Sequence, residues 1–334
     1  MAFRMEGKMK VLLAVDSITT LNILIDGMTD RSWPSGTEAR VLSIVEDGEV
    51  PLKTWREQGY GTAAVRQQMR KRGEEITAVA IERLQQLGIP AEVLIVRGNA
   101  DFLISFAAKQ WSADLILIRA HNRTDFRNWM LGSVARSVVE GAPCSVEVVR
   151  NTRSGAGSAD PIRILLAADG SGTSLAAARA VANTSWPENT EVKVVSVVNP
   201  MIYSLEEIGL LSDSRTWLAH QAIGQAVQVL KDTPLIVSGE VTAGETARQI
   251  IEQAKSWRAG LIVLGTHERR GLKRFLLGST SATVAQRAHC SVRVIRGPDV
   301  SRNEHGVTRR SGASPHQVRK IYKQTDNSGW RRAA

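Results

Sequence analysis

The chain of 334 residues carries 43 Lys and Arg against 33 Asp and Glu, a formal net charge of +10, with 43% hydrophobic residues. That length predicts two domains, each large enough to bury its own core, and the composition excludes a chain disordered throughout. Two cysteines exclude a disulfide-built secreted scaffold and point to a reducing compartment. Apolar runs such as Val11–Val15, Leu115–Ile118 and Leu261–Leu264 are of strand length, short of the roughly 20 residues that a membrane helix needs. The start does not read as a secretion signal, because its apolar run is short and ends at Asp16. A cytoplasmic protein without a membrane partner is expected.

In chain order, short Val/Ile/Leu runs alternate with stretches of helical period. Strands are predicted at about 10–15, 40–45, 92–96, 115–119 and 145–149, then at about 162–168, 191–198, 235–241, 261–265 and 291–295. Amphipathic stretches between them include Met69–Leu87, Phe102–Trp111, Leu175–Asn183, Thr216–Leu230 and Thr246–Trp257, whose apolar residues recur three and four apart. Apolar strands joined by helical crossovers predict a mainly parallel sheet covered on both faces. The expected fold is a doubly wound, Rossmann-like α/β sandwich, made twice.

The chain is a duplication. Lys10–Asp16 (KVLLAVD) matches Arg163–Asp169 (RILLAAD), and Trp33-Pro34 matches Trp186-Pro187, both at an offset of 153. Further on the offset becomes 146: Ala113–Arg119 faces Ala259–Gly265, Met130–Ser133 faces Leu276–Ser279, and Ala142–Arg150 (APCSVEVVR) faces Ala288–Arg296 (AHCSVRVIR). The units are 8–150 and 161–296, joined by a polar linker, 151–160. The segment 297–334 holds eight Lys and Arg against three Asp and Glu, so half of the net charge lies there. With almost no apolar periodicity, it predicts a disordered basic tail. Nucleic-acid binding by this tail is disfavoured, because it lacks interleaved aromatics.

Ligands on doubly wound sheets bind at the carboxyl ends of strands, so the loops after the first and fourth strands of each unit are the places to search. In the second unit the fourth strand runs into Gly265-Thr266-His267-Glu268-Arg269-Arg270-Gly271, then Leu272-Lys273-Arg274 and Gly278-Ser279-Thr280. A glycine after the strand suggests close backbone approach to a ligand. Gly278-Ser279-Thr280 opens a predicted helix, Ser281–Ala288, whose free N–H groups favour an anion. Together with Arg269, Arg270, Lys273 and Arg274 this makes a phosphate cradle, or else a capped helix beside a solvated basic loop.

This loop resembles the nucleotide loop of universal stress proteins, G-x2-G-x9-G-[ST], accompanied by a first strand ending in Asp and a closing Cys-Ser-Val strand. The resemblance covers both units. It implies a five-stranded parallel sheet of order 3-2-1-4-5, pairing through the last strand, and ATP, with Mg, in some members. Here the two units would pair as an intramolecular pseudo-dimer, with further homo-oligomers and unknown protein partners left open. The resemblance carries nucleotide contacts onto Asp169, Val197, Gly265, His267, Gly278, Ser279 and Thr280. Glu268 stands where the second Gly belongs and opposes a phosphate chain by ~1 to ~4 kcal/mol at about 4 Å. In the first unit Arg119 and Asn122 replace the first two glycines while Asp16 and Gly132-Ser133 persist. That unit is expected to be degenerate, leaving at most one adenine nucleotide per chain.

Other residues read as structural. His121 and His267 have no ligand partners at metal spacing. Cys144 and Cys290 read as small core residues, and Trp33 and Trp186 as packing. No G-x-x-x-x-G-K-[ST], H-E-x-x-H, C-x-x-C or G-x-S-x-G motif occurs. No catalytic residue is therefore assigned, and slow ATP hydrolysis stays an open alternative. The expected function is nucleotide binding or sensing in stress adaptation; a nucleotide-free interaction platform of the same fold is the rival.

Overall fold

The computed structural model describes residues 8–45, 63–120, 131–150, 161–199, 208–266, 278–297, 322–324 and 330–332. The first unit comprises β1 (Lys10–Val15), α1 (Ile18–Met28), β2 (Glu38–Val45), α2 (Ala63–Gln86), β3 (Ala91–Arg97), α3 (Ala100–Trp111), β4 (Leu115–Arg119), α4 (Ser133–Gly141) and β5 (Ser145–Val149). The second repeats it as β6 (Arg163–Ala167), α5 (Gly172–Ala182), β7 (Glu191–Val198), α6 (Ile208–Leu230) and β8 (Ile236–Ala243). It continues with α7 (Thr246–Ser256), β9 (Leu261–Gly265), α8 (Ser279–Arg287) and β10 (Ser291–Ile295). Every strand position read from the sequence is occupied by a strand. Helices α1 and α4 are not among the stretches singled out there: α1 (ITTLNILIDGM) is rich in β-branched residues, and α4 spans only nine residues.

Each unit has strand order 3-2-1-4-5, all parallel within the unit. The two are not separate sheets. Strands β5 and β10 pair antiparallel, so the units share one continuous sheet. Of the basic tail, Tyr322–Gln324 (β11) and Trp330–Arg332 (β12) are described: they pair antiparallel with each other, and β11 also pairs with β3. The other residues after Gly297 lie outside the described residues, as does the linker.

Core placement follows strand alternation. Val11, Leu13 and Val15 face α1 and α2, while Leu12 and Ala14 face the opposite layer. The first face forms a separate apolar cluster in each unit. The opposite face forms one cluster across the seam, joining Val138 and Val146 of the first unit to Val284, Val292 and Val294 of the second. Among the described residues no helix is long and apolar enough to cross a membrane.

Candidate functional site

A pocket of about 280 Å³ opens at the carboxyl ends of the second unit's strands. Its walls come from the end of β6 (Ala167, Ala168, Asp169), the start of α5 (Ser171, Thr173, Ser174) and β7 (Val195, Val197). The start of α7 (Thr246, Ile250), the end of β9 (Leu264, Gly265) and the start of α8 (Gly278, Ser279, Thr280, Ser281) complete it. Six of the seven residues named from the sequence therefore line one cavity: Asp169, Val197, Gly265, Gly278, Ser279 and Thr280. The seventh, His267, lies outside the described residues, as do Glu268, the four loop cations and, in the first unit, His121 and Asn122. Thr246 and Ile250 are not among the residues named from the sequence, because both follow β8, the unit's third strand, rather than its first or fourth.

Three helices start at this pocket, and their caps differ. At α5 the Ser171 hydroxyl accepts the Ser174 N–H (3.2 Å), and Asp169 Oδ1 accepts the Ser171 N–H (2.9 Å). At α7 the Glu245 carboxylate accepts the Ala247 and Arg248 N–H groups (3.0 and 2.8 Å). Helix α8 begins at Gly278, which has no side chain to cap it. Its Ser281 hydroxyl turns back to donate to the Gly278 carbonyl (3.0 Å). The first-turn N–H groups at Ser279–Ser281 thus lack a side-chain cap where they meet the cavity, and the helix dipole favours an anion there. Val195 and Val197 add apolar surface to the lining, and Asp169, which also lines the pocket, is exposed. The lining suits a ligand with an anionic part and an apolar part.

Besides lining the pocket, Gly265 has a packing duty that the sequence did not suggest. A Cβ there would stand 2.5 Å from the Thr173 carbonyl carbon and oxygen and 2.9 Å from the Ser174 nitrogen. The close approach is therefore between β9 and the backbone of α5, so the glycine holds the pocket's two walls together.

The first unit is built differently at the same place. Ser17 follows Asp16 directly, whereas Gly170, at φ +79°, separates Asp169 from Ser171. Asp16 Oδ1 accepts the hydroxyls of Ser17 (2.9 Å) and Thr20 (2.5 Å), so its carboxylate is taken up by the cap of α1. The uncapped glycine persists at Gly132, before α4, but Arg119 closes β4 in place of glycine.

The universal stress protein family model matches residues 9–150 and again 162–296. The chain belongs to the universal stress protein family. Among curated relatives of this universal stress protein, MJ0531 from Methanocaldococcus jannaschii is 31% identical over 140 residues, covering 41% of this chain and 82% of that protein. Rv2005c from Mycobacterium tuberculosis is 27% identical over 188 residues, 55% of this chain and 62% of the relative. The crystal structure of a universal stress protein from Archaeoglobus fulgidus aligns over 87% of this chain and 97% of its own, with a TM-score of 0.59 at 19% identity. A second structure, a putative universal stress protein from Pseudomonas aeruginosa, covers 87% of this chain and 94% of its own with a TM-score of 0.57 at 17% identity. These two likenesses extend over both units and show the tandem fold.

Burial pushes the Cys144 and Cys290 thiols up to about 12, which keeps both protonated and unreactive at neutral pH. Trp33 and Trp186 donate to the Met28 and Val181 carbonyls (3.0 and 2.9 Å) at equivalent places, as packing residues with a satisfied indole N–H. Among the described residues no group of three or more His, Cys, Asp or Glu could hold a metal ion.

Proposed function

We propose that the second unit binds one adenine nucleotide per chain, ATP with Mg, and that the protein is a nucleotide-sensing module in stress adaptation. The observation that carries this reading is the contrast among the caps: α5 and α7 are closed by their own side chains, while α8 meets the cavity without one. In this reading the phosphates lie against Gly278, Ser279 and Thr280. The base lies against Val197, and Asp169 serves the ribose or base. His267 and the cations Arg269, Arg270, Lys273 and Arg274, which the sequence motif would add to this set, lie outside the described residues. Binding would bias the loop and the surfaces beside it by the difference in affinity between its conformations.

Asp169 is the one carboxylate among the described lining residues, so no general base is assigned and sensing is preferred to turnover. The rival, a nucleotide-free platform, draws on the modest cavity, at the lower edge of the ~300–1,000 Å³ of small-molecule sites. Denaturing the purified protein and identifying any released nucleotide separates the two. Bound adenine nucleotide, or a melting temperature raised by added ATP, is expected; the absence of both would sink the proposal. Two equivalent nucleotides per chain by calorimetry would overturn the single-site stoichiometry.

A further inference from the structure

The seam between the units carries its own chemistry. In the β5–β10 ladder Val292 lies opposite Val148, Arg293 opposite Glu147, and Val294 opposite Val146. Residues 147 and 293 are also counterparts in the repeat, at the offset of 146. The pseudo-twofold axis relating the units therefore passes through the Glu147–Arg293 pair. It also passes beside Ser32 and Ser185, counterparts at the offset of 153, which meet through the Ser32 N–H and the Ser185 carbonyl (2.8 Å). On a true twofold the axial residue would meet its own copy. Here the two copies of that position carry opposite charges.

The charges are deeply buried. Glu147 is 3% exposed, Arg293 5% and Arg31 7%. Glu147 Oε2 accepts from Arg293 Nε (2.6 Å), and its Oε1 accepts from Arg31 Nη2 (2.8 Å). Trp186 lies within cation–π range of both guanidiniums, at 5.5 Å from Arg31 and 6.0 Å from Arg293. Arg31 Nε and Arg293 Nη2 are buried without a hydrogen-bond partner. One carboxylate thus serves two cations. Breaking a buried pair by removing one partner costs far more than an exposed pair contributes, because the charge left behind has no water.

We propose that Glu147 and Arg293 form a pairing code: the edge strand of each unit fits the unlike unit best, and the edges of two second units reject each other. Two second units meeting through β10 would bury Arg293 against a second Arg293 with no carboxylate between them, because Thr184 stands where the first unit has Arg31. Two first units meeting through β5 would bury two Glu147 carboxylates, each with its own Arg31 but without the bond that Arg293 supplies. The partner that each edge fits is a strand of opposite charge at the axial position. The neighbouring valines are interchangeable across the seam and cannot discriminate. The proposal is independent of whether the pocket holds a nucleotide.

Charge reversal tests it in the full-length chain. Glu147→Arg leaves three guanidiniums together, the introduced one beside those of Arg31 and Arg293. Arg293→Glu leaves two carboxylates with Arg31 between them. Both single variants should melt well below the wild type, Glu147→Arg the lower, while the double reversal restores two arginines and one glutamate and should recover at least half of the loss. Because a single variant that fails to fold gives no melting curve, the two are also produced together with different tags. Each then offers the other a complementary edge, and a one-to-one heterodimer should co-purify well above the level seen for two tagged wild-type chains. Single variants that melt with the wild type, a double reversal no better than the worse single, or co-production without that heterodimer would each overturn the code.

Discussion

At the residue scale, two glycines of one nucleotide-loop pattern have different physical duties. Gly278 lies at φ −60° and ψ 147°, where any L-residue fits. Its importance is the missing side chain at the head of α8. Gly278→Asp would supply a carboxylate cap, which helices favour, while placing negative charge where an anion would sit. The expected outcome is a melting temperature unchanged or slightly raised and ATP affinity lost; affinity equal to wild type by calorimetry would place the nucleotide elsewhere. Gly265 instead touches backbone. Gly265→Ala forces a methyl to 2.5 Å from the Thr173 carbonyl, an overpacking expected to cost about 1–3 kcal/mol in denaturant unfolding. The motif's spacing made both positions legible. The duty of Gly265 was not legible, because the contacting backbone lies 92 residues earlier in the chain.

At the scale of elements, the units cap each other's helices. Arg150, just past β5, donates to the Cys290 carbonyl (3.1 Å) and to the Ala285 carbonyl near the end of α8 (2.5 Å). Its counterpart Arg296, just past β10, donates to the Val139 and Glu140 carbonyls at the end of α4 (3.0 Å each). Orphan carbonyls at a helix C-terminus carry partial negative charge, so a guanidinium satisfies them in both respects. Burial lowers the Arg150 pKa to about 10, still well above neutrality. Arg150→Met keeps much of the volume but leaves two carbonyls unpaired, and should cost about 1–3 kcal/mol of stability, seen as a lower unfolding midpoint. The duplicated Arg was visible in the repeat, yet its role depends on antiparallel pairing that brings the end of one unit to the last helix of the other.

For the whole molecule, the buried seam makes stability depend on pH. Burial pushes the Glu147 carboxyl up, but Arg293 and Arg31 outweigh it and hold the group below its ordinary value of 4.5. A carboxyl whose folded pKa is lowered stabilises the fold above its unfolded pKa and loses that contribution as pH falls through the folded one. Wild type should therefore lose stability below about pH 4.5 more steeply than Glu147→Gln. The variant starts lower at neutral pH, and the gap should narrow with acid; parallel unfolding midpoints across pH 7 to 3 would contradict this. The +10 net charge says little of this, since half of it belongs to the segment after Arg296.

The sequence by itself determined the duplication, the order of strands and helices, and six of the residues that line the second unit's pocket. Hydrophobic period and repeated motifs are local signals, and they survive without knowledge of what packs against them. Tertiary structure decided the matters that depend on distant neighbours. It set the register in which β5 and β10 pair, gave Gly265 a place in helix packing, and brought α7 into the pocket. It also set Glu147 against Arg293 on the pseudo-twofold axis. In the sequence that pair is one charge difference between otherwise similar strands; burial and register together make it a contact between opposite charges.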